Sequence, residues 1–176
     1  MIEHERTFRV RTQNVGYLSP EQIHQYCVVG PVARASGVDV DFRRDAPYAV
    51  YDRLHFDVVT SDKGDVWART LVRTQETIES LLLCHQLLVG LPDGPTMVRA
   101  PRRVPPGEVV SRGEAPRGEL IYYIRSDDSD KPARIKIRTP TLTTLITLPD
   151  QLRGVNTADV SAVLSGVDLC IACADR

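Results

Sequence analysis

Trp67, Leu71, Gln75, Ile78, Leu82, His85 and Val89 recur at three-to-four spacing through the middle of the chain. A period of that kind lays one stripe along a helix, so the spacing predicts a long helix that begins after Ser61 and stops at Gly90. Upstream, Ser19-Pro20-Glu21-Gln22 combines a hydroxyl cap, proline at the first helical position and glutamine where a capping box places it. This predicts a shorter helix to about Val28, ended by Gly30-Pro31. From Val32 to Tyr51 no period is sustained; Gly37, Pro47 and the charged run Asp39 to Asp45 read as an irregular surface segment. Leu54 to Val59 reads as a short strand.

Beyond the long helix, Asp93 to Gly107 is a connector rich in proline, glycine and arginine. The clearest sheet signal follows: Glu119 to Arg125, a turn at Asp127 to Asp130, then Ala133 to Arg138 in strict alternation. One face of that second strand is apolar. The other is cationic and reads as solvated surface rather than a binding site. Thr139-Pro140 starts a short helix through Leu145, punctuated by Pro149 and Gly154. Asn156 to Asp159 opens a last helix carrying Val160, Val163 and Leu164 and stopped by Gly166. Helices and strands mix without a βαβ rhythm, so the fold class is α+β.

With 176 residues, 42% hydrophobic and 26% charged, the chain can bury one substantial core, and residues 1–176 are read as a single domain. A formal charge of −1 gives no general pull toward nucleic acid or anionic lipid. No segment approaches the ~18 continuous apolar residues of a membrane span. Met1 to Arg6 is polar and lacks the apolar run of a signal peptide, so the expectation is a cytoplasmic chain. Its four cysteines, at 27, 84, 170 and 173, are too scattered for a secreted disulfide framework and are expected to be reduced.

Cys170-Ile171-Ala172-Cys173 is the most distinctive chemistry. Two thiols three residues apart in a tail are either a mobile reducible pair or are pinned by a soft metal, which cysteine sulfur suits far better than calcium or magnesium does. A thioredoxin-like reading needs a helix that starts at the first cysteine, and the sequence leaves little room for one. A closed zinc site needs four ligands. Cys27 and Cys84 are flanked by apolar residues and read as buried structural cysteines, and His85 reads as a satisfied core or surface histidine. No phosphate loop, serine nucleophile elbow or His-Glu-x-x-His motif is present. Glu114-Ala115-Pro116-Arg117-Gly118 sets an arginine between a rigid and a permissive residue. It is either a plain turn into the hairpin or a fixed guanidinium fork for a small anion or metal-bound ligand.

Taken in order, Glu114-Ala-Pro-Arg-Gly118, Arg138-Thr-Pro-Thr141 and Cys170-x-x-Cys173 resemble the C-terminal half of a nickel-iron hydrogenase large subunit. Gly30-Pro31-Val32-Ala33-Arg34-Ala35-Ser36-Gly37, Asp41-Phe42-Arg43, Pro47-Tyr48 and Gly64-Asp65 through Arg69 to Arg73 extend the resemblance to the energy-converting, membrane-associated branch and its 49-kilodalton-type relative in respiratory complex I.

The resemblance implies a partial large-subunit domain completed by another chain, built as one long helix, shorter helices and a β-hairpin. Cys170 then matches the terminal nickel ligand and Cys173 the thiolate bridging nickel and iron. Arg117 matches the catalytic arginine beside the iron's diatomic ligands, Thr141 a hydroxyl that donates to a cyanide, and Pro116 and Pro140 shape that pocket. Arg176 matches the basic residue that ends the mature chain in this branch. The implied cofactor is a nickel-iron centre with diatomic ligands. The implied partners are a chain carrying the N-terminal half, an iron-sulfur small subunit and, indirectly, membrane subunits, at the inner face of the cell membrane; nucleic acid is not among them. Two departures stand out. The family's Arg-x-Cys-Gly-x-Cys pair is absent, so two of four sulfur ligands must come from elsewhere. The family's Asp-Pro-Cys is Asp168-Leu169-Cys170 here, which frees the backbone ahead of the ligand and leaves an amide to satisfy. Two further readings stay open: a metal-free, complex I-like (NADH:quinone oxidoreductase) subunit shaping a quinone site, and a non-catalytic scaffold piece.

Overall fold

The computed structural model describes residues 5–175. Their order is α1 (Arg6–Thr12), α2 (Pro20–Gln25), α3 (Pro31–Arg34), α4 (Phe42–Asp45), α5 (Val66–Val89), β1 (Gly107–Ala115), β2 (Gly118–Ser126), β3 (Arg134–Arg138), α6 (Pro140–Ile146), α7 (Leu148–Leu152), α8 (Val160–Val167) and α9 (Ile171–Ala174). The fold is α+β, as the sequence predicts.

Local signals set the helix starts. Ser19 and Gln22 form the reciprocal capping box of α2, with the Gln22 amide 3.2 Å from the Ser19 hydroxyl and the Ser19 amide 3.0 Å from the Gln22 side chain. Asp65 caps α5 by accepting from the Ala68 amide at 2.8 Å. The first half of α5 is buried, through Val66, Trp67, Ala68, Arg69 and Val72, against α1, α3 and α8. Beyond Val72 only Leu83 is buried, and Ile78, Leu81, Leu82, Leu88 and Val89 stay exposed. Cys84 and His85 lie on this exposed stretch, and Cys27 is exposed as well. The expectation that Cys27 and Cys84 are buried is therefore overturned: each sits where no further layer covers it.

The sheet is an antiparallel meander in the order β1-β2-β3, with Ala115 paired to Gly118 and Ile121 to Arg138. The predicted hairpin is β2 and β3; β1 is an additional strand within a stretch that lacks clean alternation. Arg134 and Lys136 are solvated as expected, while Arg138 reaches Glu119 at 3.1 Å.

Leu54 to Val59 is not a strand. It runs beside α5, where Gln86 brackets His55 by accepting from its amide at 3.0 Å and donating to its carbonyl at 2.7 Å. A helix neighbour offers side chains rather than a ladder. Val32 to Tyr51 is also more ordered than predicted: it holds α3 and α4, and Arg34, Ser36 and Asp41 are buried. Pro149 lies in the first turn of α7, not at a helix end. Gly166 lies inside α8, where a Cβ would stand 3.1 Å from Val66. The helix ends instead at Asp168, whose φ of 55° is left-handed.

Candidate functional site

Pro116 and Arg117 form the two-residue loop between β1 and β2. Its position is set by glycines on both sides of a contact. Gly118 has φ +125° and its Cβ would lie 2.7 Å from Val29; Gly30, at φ +74°, would place a Cβ 2.3 Å from the Arg117 carbonyl oxygen. Only residues without a side chain allow the loop to sit on the start of α3.

From that seat Arg117 reaches the end of α8. Its Nε donates to the Asp168 carbonyl at 2.8 Å and its Nη2 to the Asp168 carboxylate at 3.1 Å. Asp168, not singled out from the sequence, is thus the partner of the predicted arginine. Cys170 follows two residues later as the cap of α9, and its carbonyl accepts from the amides of Cys173 and Ala174, both at 3.1 Å. A helical turn does begin at the first cysteine, contrary to expectation, although it is only four residues long.

Thr139 ties this turn down by donating its hydroxyl to the Cys173 carbonyl at 2.8 Å. Pro140 and Thr141 open α6 and are buried. The Thr141 hydroxyl is buried and makes no hydrogen bond of normal geometry; it lies near enough to the Cys173 sulfur to favour the deprotonated thiol, an effect smaller than those of burial and Cys170, which raise it. The neighbouring Cys173, through its side chain and then its backbone, holds the Cys170 thiol below its ordinary pKa, with a smaller contribution from Arg117. Burial and the neighbouring sulfur push Cys173 the other way. The structure therefore brings Arg117, Thr141, Cys170 and Cys173 to one corner, with Pro140 beneath it and Pro116 exposed on its rim. Arg176 lies outside the described residues.

A cavity of about 420 Å³ opens beside this corner, lined in part by Arg73, Glu76, Glu114, Pro116 and Asp168. Behind it, Arg34 is 1% exposed and bonds Glu76 at 2.6 Å and Glu114 at 3.0 Å, with Asp41 at 3.4 Å. Burial opposes the Arg34 charge, but the three carboxylates outweigh it and raise its pKa. Asp41 also accepts two bonds from the Arg43 guanidinium, at 3.0 and 2.7 Å. Arg73 is less well served. Its Nε is buried without a partner, and desolvation lowers its pKa against the pull of Asp168 and Glu76. The sequence signal for this network is an arginine set among Ala33, Ala35, Ser36 and Gly37, small residues that leave room for a buried guanidinium.

Among the described residues no group of three or more histidine, cysteine, aspartate or glutamate side chains is placed to hold a metal ion. The corner offers two sulfurs, a buried unpartnered hydroxyl and a guanidinium. That donor set fits one side of a thiolate-held centre and needs further ligands from outside these residues.

The family model described as Respiratory-chain NADH dehydrogenase, 49 Kd subunit, matches residues 1–106 and 97–176. The chain is 43% identical over 166 residues to the carbon monoxide-induced hydrogenase of Rhodospirillum rubrum, covering 94% of this chain and 46% of that protein. It is 41% identical over 169 residues to one of the NADH-quinone oxidoreductase subunits of Dehalococcoides mccartyi, covering 95% and 46%. A chain in the solved structure of the membrane-bound sulfane sulfur reductase (MBS), an archaeal respiratory membrane complex, superposes with a TM-score of 0.90 at 35% identity, over 98% of this chain and 49% of that one. The chain spans about half the length of the curated relatives it matches. With both a hydrogenase and an NADH-quinone oxidoreductase among its relatives, the chain belongs to the family of the 49 Kd subunit of respiratory-chain NADH dehydrogenase.

Proposed function

We propose that this chain is the C-terminal portion of a hydrogenase-type large subunit in a membrane-associated oxidoreductase, and that Cys170 and Cys173 supply two of four thiolates to a nickel-iron centre. The observation that carries the reading is the buried Thr141 hydroxyl beside the cysteine pair, which makes no hydrogen bond of normal geometry within the chain. A buried hydroxyl without a partner is costly unless a bound group accepts from it, and a metal-bound cyanide is such an acceptor. Arg117, held by Asp168, would present its remaining N–H groups to the same ligands. When bound, such a centre supplies reversible two-electron chemistry on dihydrogen and protons. The chain's own residues hold the sulfurs in one turn, orient the guanidinium and shield the hydroxyl from water.

The remaining two thiolates come from the other half of the large subunit, as a separate chain or as a longer form of this one. The uncovered half of the relatives' length and the exposed apolar stretch of α5 both support a completing half. Electrons would pass to an iron-sulfur subunit. Among the described residues no helix is long and apolar enough to cross a membrane, so attachment to the inner face would run through partners. Nickel and iron analysis of the assembly co-purified with the segment carrying Arg-x-Cys-Gly-x-Cys tests the reading: stoichiometric nickel supports it, and absence of nickel from an assembly holding both halves overturns it.

The NADH-quinone oxidoreductase relatives favour a second reading, a metal-free component shaping a quinone site. In that case Cys170→Ser and Cys173→Ser leave electron transfer to quinone unchanged.

A further inference from the structure

The two sulfurs can do chemistry with each other as well as with a metal. Cys170 caps α9, and the closed turn from its carbonyl to the Cys173 and Ala174 amides puts both side chains on one face. The Cys173 amide itself closes on the Cys170 carbonyl at 3.1 Å. A disulfide requires Cβ atoms about 3.5–4.5 Å apart, and residues at i and i+3 of a helical turn start from about 5–6 Å. Closing that gap asks little of a single turn whose Ile171 is 80% exposed. Both cysteines are half-buried, so a small reagent can reach them, while the Thr139 hydrogen bond to the Cys173 carbonyl keeps the turn from drifting away. The other two cysteines of the chain stand elsewhere, Cys27 just after α2 and Cys84 on the open part of α5.

We propose that Cys170 and Cys173 are a reversible two-electron dithiol–disulfide couple, with low-molecular-weight disulfides as oxidant, and that closing it blocks metal loading at this corner. The second half of the proposal rests on the nickel-iron reading. In the forward step the Cys170 sulfur attacks one sulfur of the small disulfide, breaking its S–S bond, forming a mixed disulfide and releasing one thiolate. The Cys173 sulfur then attacks the Cys170 sulfur, forming the 170–173 bond and releasing the second thiolate. The two thiol protons leave with these products as two small thiols. The chain has lost two electrons and the small disulfide has gained them. Both sulfurs are then consumed in one bond and cannot ligate a metal as thiolates.

The test uses the full chain in a Cys27→Ser, Cys84→Ser background, reduced and then treated with bis(2-hydroxyethyl) disulfide. The expected product is lighter by two hydrogens, with 170 joined to 173 in peptide maps. Cys173→Ser instead stops at the mixed disulfide on Cys170. Dithiothreitol restores the starting mass. The reduced chain takes up nickel(II) with a thiolate charge-transfer band, and the closed chain shows at least a tenfold weaker band. A product carrying only mixed adducts, with no 170–173 link, overturns the couple. Equal nickel uptake by open and closed chains overturns the gating. A nickel-free assembly of both halves sinks the nickel-iron reading and leaves the couple standing, since its mass readout involves no metal.

Discussion

Arg117 grips the residue at which the chain turns out of α8: its Nε and Nη2 both land on Asp168, one on the carbonyl and one on the carboxylate. The cysteine turn begins two residues later, so the guanidinium sets where the sulfurs start.

Arg117→Lys keeps the charge and loses the two-point hold. Because the pair is partly solvated, the expected cost in global stability is below about 1 kcal/mol. The local effect is larger: amides from 168 to 175 should exchange several-fold faster in hydrogen-exchange mass spectrometry while those of α5 do not change.

Thr139 and Thr141 are chemically alike and should behave oppositely. Thr139→Val removes a bond to the tail and is expected to cost about 1 kcal/mol in denaturant titration. Thr141→Val replaces an unpartnered buried hydroxyl and should be neutral or stabilising in the same measurement. If Thr141→Val also lowers nickel retention in the two-half assembly, its hydroxyl serves the ligand and not the fold.

Arg34→Met should be among the most damaging single changes. It strands Glu76 and Glu114 around a buried gap and leaves Asp41 to Arg43 alone, and breaking a buried charge cluster from one side costs about 3–5 kcal/mol. Thermal melting would show the loss; a shift of a degree or less would mean that water replaces the guanidinium.

Within this cluster Asp41 predicts acid sensitivity, opposed by Glu114, whose carboxyl burial pushes up. Burial raises the Asp41 pKa, but the Arg43 hydrogen bonds and the Arg34 and Arg43 charges outweigh it, so the carboxyl lies below its ordinary range when folded. A depressed folded pKa contributes stability above the unfolded value and loses it as pH falls through the folded one. Stability should therefore drop on acidification below about pH 4, and Asp41→Asn should be less stable at neutral pH with a flatter acid limb.

Exposed Leu81, Leu82, Leu88 and Val89 give the chain on its own an apolar face. Sedimentation should show concentration-dependent self-association, reduced by Leu81→Lys with Leu88→Lys and also by adding the missing half of the large subunit.

Legibility followed range. The capping box at Ser19, the Asp65-capped helix and the hairpin from Glu119 were readable because each depends on residues within a few positions of one another. The segment from Leu54 to Val59 has the pattern of a strand, whereas its actual neighbour is the side chain of Gln86. Exposure of Cys84 could not be read from its apolar flanks, since only the whole assembly decides which helix faces are covered. At the site, order along the chain marked Arg117, Thr141 and the cysteines. The pairing of Arg117 with Asp168 and the Arg34 network have no local signal, because their members are far apart in sequence: Arg34 and Glu114 meet from 80 positions apart and neither carries a signature of the other.

The seat of the Pro116-Arg117 loop is main chain against main chain, glycine 118 on one side and glycine 30 on the other. Its placement is consequently insulated from changes in the size of the surrounding side chains. A lone methyl group added at position 30 would dislodge it.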